Sequence, residues 1–160
     1  MSYKLIILAP SAGGKSTLTR YLREKTKFHI AETDEEVMKA NGGDWPDDEL
    51  KNKVLVPQTT REVISRNSVI YFASYIPEEL IIGARKAGFK IVLLDIGIDA
   101  LVDRNKKRMS VENYQDVSPF FKMQLNAFSG FTGRKLIDTT LDGEKSVSDI
   151  AEAICRLASK

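Results

Sequence analysis

An apolar run ending at Leu8 passes directly into Ala9-Pro-Ser-Ala-Gly-Gly-Lys-Ser16, and an amphipathic stretch follows. This segment constrains the fold more than any other. Its spacing is that of a phosphate-binding loop, with Ala9 standing where the first glycine usually does. Such a loop needs a strand to deliver it and a helix to leave from it. Gly13 and Gly14 let backbone N–H groups turn inward around anionic oxygens, and the helix N-terminus adds its dipole. Alanine serves at position 9 provided its φ stays negative.

The rest of the chain repeats the same alternation. Apolar runs at 3–8, 28–31, 68–73, 90–95 and 135–139 read as strands. Helical patterns lie at 15–25, 34–41, 77–88, 99–108 and 119–128. Another starts at the acidic cluster after Pro46 and runs towards Arg66, with Pro57 breaking or kinking it. The last helix follows Ser146, where Val147, Ile150, Ala151, Ile154, Leu157 and Ala158 form a core stripe. Short continuous strands between helices predict an α/β fold with a mainly parallel sheet covered on both faces. A single domain over 1–160 accounts for the length, and no repeat is visible.

Composition narrows the chemistry. Lys and Arg total 24 against 22 Asp and Glu, a net charge of +2. That balance gives no support to bulk nucleic-acid or membrane binding. Cys155 and His29 are each the only residue of their kind, which excludes an intrachain disulfide and multi-cysteine or His-rich metal sites. His29 falls in a buried-strand pattern and Cys155 beside the last helix's apolar stripe, so both read as structural. No apolar run approaches a membrane span, and no leader pattern is present, so a cytoplasmic protein with no obligate protein partner is expected.

Within the loop, Lys15 is placed to reach β- and γ-phosphates and the Ser16 hydroxyl to sit on Mg²⁺. Ala12, Gly13, Gly14, Lys15, Ser16 and Thr17 are the expected nucleotide contacts. Glu32-Thr-Asp-Glu-Glu-Val37 follows the second strand at the carboxyl edge of the sheet, where α/β proteins place ligands. Glu32 is the candidate metal support and Asp34 the candidate acceptor of a proton. The competing reading of Asp34 is a plain helix N-cap. Arg104 and Arg108 share one helix face and can clamp phosphate charge, while Lys106 and Lys107 read as a solvated face. Arg134, just before the expected fifth strand, is a candidate to stack on adenine. Trp45, Arg61, Arg66 and Tyr75 are weaker candidates for an acceptor site.

Taken together these motifs resemble the small P-loop kinases: adenylate kinase, shikimate kinase and the kinase domain of phage-type polynucleotide kinase. The segment from Glu32 to Val37 is similar to the Asp-Thr-Asp motif of shikimate kinases, with Glu32 replacing the first Asp. The resemblance makes Asp34 the residue that contacts the acceptor hydroxyl. Val102-Asp-Arg-Asn-Lys-Lys-Arg108 is similar to the lid motif of polynucleotide kinases, whose arginines bind ATP phosphates. Leu136-Ile-Asp-Thr-Thr and the helix from Ser146 resemble the adenine-binding end of adenylate kinases. Acceptor-side signatures differ: Phe72-Ala-Ser-Tyr75 stands where shikimate kinases carry three glycines, and Val37 where polynucleotide kinases carry an arginine.

The resemblance implies a P-loop NTPase-type three-layer α/β/α fold with a five-stranded parallel sheet. It also implies an acceptor-binding region about 33–66 and a short lid about 104–117. The expected activity is ATP- and Mg²⁺-dependent transfer of the γ-phosphoryl group to a small-molecule, nucleotide or 5′-hydroxyl acceptor. Two alternatives stand beside it: a nucleoside monophosphate kinase, and a nucleotide-binding switch without transfer. A short nucleic-acid 5′ end needs only a few contacts and stays open as a partner.

Overall fold

A computed structural model describes residues 2–160. Its five strands are β1 (Lys4–Leu8), β2 (Ile30–Glu32), β3 (Val69–Ala73), β4 (Lys90–Asp95) and β5 (Thr139–Asp142). They form one sheet in the order β2-β3-β1-β4-β5, and every pairing is parallel. β1 is central, in register with β3 from Lys4↔Val69 to Leu8↔Ala73 and with β4 from Leu5↔Lys90 to Leu8↔Leu93. The loop from Ala9 to Ser16 therefore leaves from the middle of the sheet's carboxyl edge.

The sheet is apolar on both faces because helices cover both. Leu5 and Ile7 point to the side of α1 (Lys15–Lys25) and α8 (Val147–Ala158), meeting Leu18, Leu22, Ile150 and Ile154. Ile6 and Leu8 point to the other side. There they meet α4 (Val56–Ile64) through Val63, α5 (Glu78–Lys86) through Ile81 and α7 (Phe121–Gly133) through Phe128. Alternate residues of one strand thus serve two cores, and β1 reads as a continuous run. Each fully buried aliphatic side chain contributes about 1.5–3 kcal/mol, so both layers are held mainly by area.

Several boundaries differ from the sequence reading. The fifth strand lies later than 135–139. Lys135 turns left-handed with φ 59 at the end of α7, and Leu136 and Ile137 pack on the core from a connection rather than from a strand. The apolar pair is real, but it fills a gap beside α7 instead of joining the sheet. The second strand is shorter than expected, and His29 is exposed outside it, its N–H donating to the Tyr3 hydroxyl at 2.7 Å. Cys155 is half-buried against the α1–α8 core, as a small apolar residue would be.

The chain is helical from α3 (Asp48–Leu50) through a wide π-turn (Lys51–Leu55) into α4. Pro57 explains the π-turn. It cannot donate a backbone hydrogen bond, and its ring crowds the preceding turn, so the helix widens rather than breaks. The remaining α-helices are α2 (Thr33–Ala40) and α6 (Ile98–Val111), and a 3-10 turn at Ser118–Phe120 leads into α7. Among the described residues no helix is long and apolar enough to cross a membrane.

Candidate active site

The loop after β1 is held from three sides. Ala9 N–H donates to the Ala73 carbonyl at 3.0 Å, and Gly13 N–H to the Pro10 carbonyl at 2.9 Å. A Cβ on Gly13 would stand 2.6 Å from that same oxygen, so only glycine closes the turn. Gly14 caps α1 with φ 87, the left-handed region that glycine enters without strain. Ala12 also has positive φ, at 62, whereas Ala9 does not, which is why alanine suffices at position 9. Gln124 on α7 grips the loop from below. It accepts from Ser11 N–H at 2.8 Å, and its amide donates to Ser11 Oγ at 2.9 Å.

Lys15 curls back over the loop and donates to the carbonyls of Ala9 at 3.3 Å and Pro10 at 3.2 Å. Desolvation is the largest cause of its pKa falling to about 8; Asp34 and Glu32 oppose the fall, while Arg108 and Lys51 add to it. Those five side chains therefore share one electrostatic neighbourhood. Ser16 Oγ donates to Glu32 Oε1 at 3.4 Å. Burial of Glu32 raises its pKa, an effect opposed first by Lys15. Thr17 is exposed in the first turn of α1.

Asp34 stands in the first turn of α2, but the N-cap position belongs to Glu32 and no side chain caps that helix. The plain capping reading of Asp34 is corrected by this: its carboxylate projects to solvent and pairs with Lys51 Nζ at 3.8 Å. β2 ends in the buried Glu32 and α2 starts at Thr33, so Asp34 stands just past the carboxyl edge of the sheet.

Arg104 and Arg108 lie on one face of α6. Arg104 donates to the Gly143 carbonyl at 3.1 Å, and it also lies 3.9 Å from where a Cβ on Gly14 would be. The Arg108 guanidinium stacks on the Tyr114 ring at 4.5 Å. The expected lid, 104–117, is thus two-part: its arginines ride on a helix that runs to Val111, and a loop follows. Buried Asn105 ties the two together, donating to Asp116 Oδ1 at 2.8 Å and accepting from Val117 N–H at 3.2 Å.

Arg134 is not brought to this cluster. It ends α7, donates to Glu78 at the start of α5 and lies 6.0 Å from the Phe131 ring. A residue that precedes a strand of an all-parallel sheet lies at the amino end of that strand, whereas Lys15, Glu32 and Asp34 follow strands at the carboxyl edge. Arg66 is occupied by Glu62 and Glu36, and Arg61 is exposed. Trp45 is 50% exposed, and Lys51 Nζ lies 4.7 Å from its ring centroid. Lys51, Gln124 and Asn105 were not singled out by sequence; no local pattern marks them, because their partners lie on other elements.

Among the described residues no group of three His, Cys, Asp or Glu side chains stands ready to hold a metal. The Ser16 hydroxyl and Glu32 carboxylate are hard oxygen donors beside Lys15. That set fits Mg²⁺, which keeps several waters and takes further oxygens from a nucleotide. It does not fit a metal caged by protein alone.

No family model and no curated protein sequence matches the chain. Solved structures do. A shikimate kinase from Acinetobacter baumannii superposes with TM-score 0.75 at 17% identity, over 98% of this chain and 93% of that one. The shikimate kinase of Aquifex aeolicus gives 0.68 at 19%, over 98% and 96%. A gluconokinase from Sinorhizobium meliloti 1021 gives 0.62 at 16%, over 98% and 94%. The fold is that of the small P-loop kinases. The likeness runs over nearly the full length of each partner, so the three-layer α/β/α architecture is common to all of them.

Proposed function

We propose that the protein is an ATP- and Mg²⁺-dependent kinase that phosphorylates a hydroxyl group of a small molecule. The observation that carries this reading is that the β1 loop and the end of β2 meet at the sheet edge, where Ser16 Oγ donates to Glu32 Oε1 at 3.4 Å and Asp34 follows two residues later, its negative charge felt at Lys15. A phosphate-gripping cation in the loop and an exposed carboxylate at the neighbouring strand end suit phosphoryl transfer to a hydroxyl. The solved neighbours, named as shikimate kinases and a gluconokinase, support the same class. ATP as donor suits a cytoplasmic site of action.

In this reading the loop amides and Lys15 bind the donor phosphates. Lys15 leaves the Ala9 and Pro10 carbonyls to do so. Ser16 and Glu32 would hold Mg²⁺, directly or through water; when bound, the ion neutralises the β- and γ-phosphate charge. Asp34 orients the acceptor hydroxyl and takes its proton. The bond from acceptor oxygen to γ-phosphorus forms as the bond from that phosphorus to the bridging oxygen breaks, leaving ADP and the phosphorylated acceptor. Arg104 and Arg108 neutralise charge as the α6 region closes and water is excluded.

A nucleoside monophosphate acceptor needs several cations for its phosphate, whereas Arg66 is paired with Glu36 and Glu62 and Lys51 stands beside the carboxylate of Asp34. The hydroxyl acceptor is therefore preferred. Transfer of label from γ-labelled ATP with Mg²⁺ into separate pools tests this: small polyols including shikimate and gluconate, 5′-hydroxyl oligonucleotides, and nucleoside monophosphates. Label in the polyols is expected. Label confined to monophosphates would refute the preference.

A further inference from the structure

We propose that Lys51 is a further catalytic cation, which meets the transferring phosphoryl group from the acceptor side with Trp45 as its resting place. The inference rests on the kinase reading above. Lys51 opens the π-turn that Pro57 imposes, and the widened turn carries its side chain inward: it is only 23% exposed. Its ammonium stands 3.8 Å from Asp34 Oδ1 and 4.7 Å from the Trp45 ring centroid. Neither contact saturates it. The carboxylate lies beyond ordinary hydrogen-bonding distance, and the ring supplies only its negative face. Asp34 lies two residues after Glu32, which accepts from Ser16 Oγ, so the Lys51–Asp34 pair adjoins the β1 loop from the side of α2, and the charge of Lys51 is felt at Lys15.

In the kinase reading the γ-phosphoryl passes from Lys15 in the loop towards the acceptor at Asp34, beside which Lys51 stands. Charge spreads over the three equatorial oxygens of a transferring phosphoryl, and fixed cations there stabilise it. Lys15 approaches from the donor side and Arg108 from α6, which leaves the acceptor side to Lys51. Lys51 also screens Asp34. Without it the carboxylate would face an incoming γ-phosphate unopposed, so the cation has a task whichever hydroxyl is phosphorylated.

Trp45 is the only tryptophan, so its fluorescence reports on departure of Lys51. The test is calorimetry and Trp45 fluorescence of the full chain with Mg²⁺ plus ADP, and with Mg²⁺ plus the non-hydrolysable ATP analogue AMP-PNP. Wild type should bind both, with a fluorescence change specific to AMP-PNP. Lys51→Met should lose about tenfold or more in AMP-PNP affinity, with ADP affinity within about twofold and no AMP-PNP-specific fluorescence change. Lys51→Arg should keep most of the preference, which a merely structural lysine would not predict. Equal binding of both nucleotides by wild type and Lys51→Met, or an equal loss for both, would overturn the proposal and leave the kinase reading standing. Absence of AMP-PNP-specific fluorescence in wild type would overturn it without any variant. Failure of wild type to bind either nucleotide would refute the kinase reading itself.

Discussion

Lys15 is held in a conflicted environment that nucleotide binding would resolve. Its ammonium is desolvated against two carbonyls, and its pKa is lowered to about 8 from an ordinary 10.5. Above about pH 8 the free protein therefore carries a mostly neutral Lys15. Bound phosphates favour the cation, so binding must take up a proton there, whereas near pH 6 the group is charged in both states and no uptake occurs at this site. Calorimetry of Mg²⁺-AMP-PNP binding in buffers of different ionisation enthalpy reads the proton count directly. Replacing Lys15 by Ala should abolish transfer while far-ultraviolet circular dichroism stays unchanged. Gly13→Ala should be more damaging to the loop than its size suggests. The new methyl meets a backbone carbonyl, and overpacking of this kind costs roughly 1–3 kcal/mol, visible as a lower melting temperature and weaker nucleotide binding.

The elements were unequally legible. The phosphate loop announced itself because its chemistry is local: Gly13, Gly14, Lys15 and Ser16 are contiguous, and a strand and a helix flank them. β4 and the Ser146-capped α8 were equally plain, the one a compact apolar run and the other a clean stripe. β5 was misplaced because Leu136 and Ile137 imitate a strand while packing from a connection. Arg134 precedes that strand in either placement and pairs with Glu78 instead of joining the carboxyl-edge cluster. Asp34 was visible as a candidate, but only the structure separates it from a cap. Gln124, Lys51 and Asn105 carried no signal at all, since each acts across a loop or turn on a partner in another element or connection. Gln124 shows how an element far along the sequence shapes the loop. Gln124→Leu leaves the Ser11 N–H without its acceptor, at a cost of about 1–3 kcal/mol if that group stays buried. A melting temperature lower by several degrees is expected in thermal unfolding, together with weaker Mg²⁺-AMP-PNP binding.

Across the whole molecule, the parallel sheet gathers the chemistry at one edge. β1 delivers the loop, β2 delivers Glu32 and Asp34, and the segments after β4 and β5 bring Arg104 against Gly143. Residues far apart in sequence meet because every parallel strand points the same way, and the two cores keep the edge rigid. Core substitutions should therefore reduce stability without changing which acceptor is used: Ile7→Ala, at a fully buried position, is expected to cost about 2–5 kcal/mol in urea unfolding. The central claim is that this edge moves a phosphoryl group to a hydroxyl with Asp34 as its base. The most direct measurement compares wild type and Asp34→Asn for transfer of label from γ-labelled ATP into a hydroxyl-bearing small molecule. The account predicts label in that pool and a loss of about a hundredfold or more in Asp34→Asn with Mg²⁺-AMP-PNP affinity retained. A change below about tenfold in Asp34→Asn would contradict it by removing Asp34 from the chemistry.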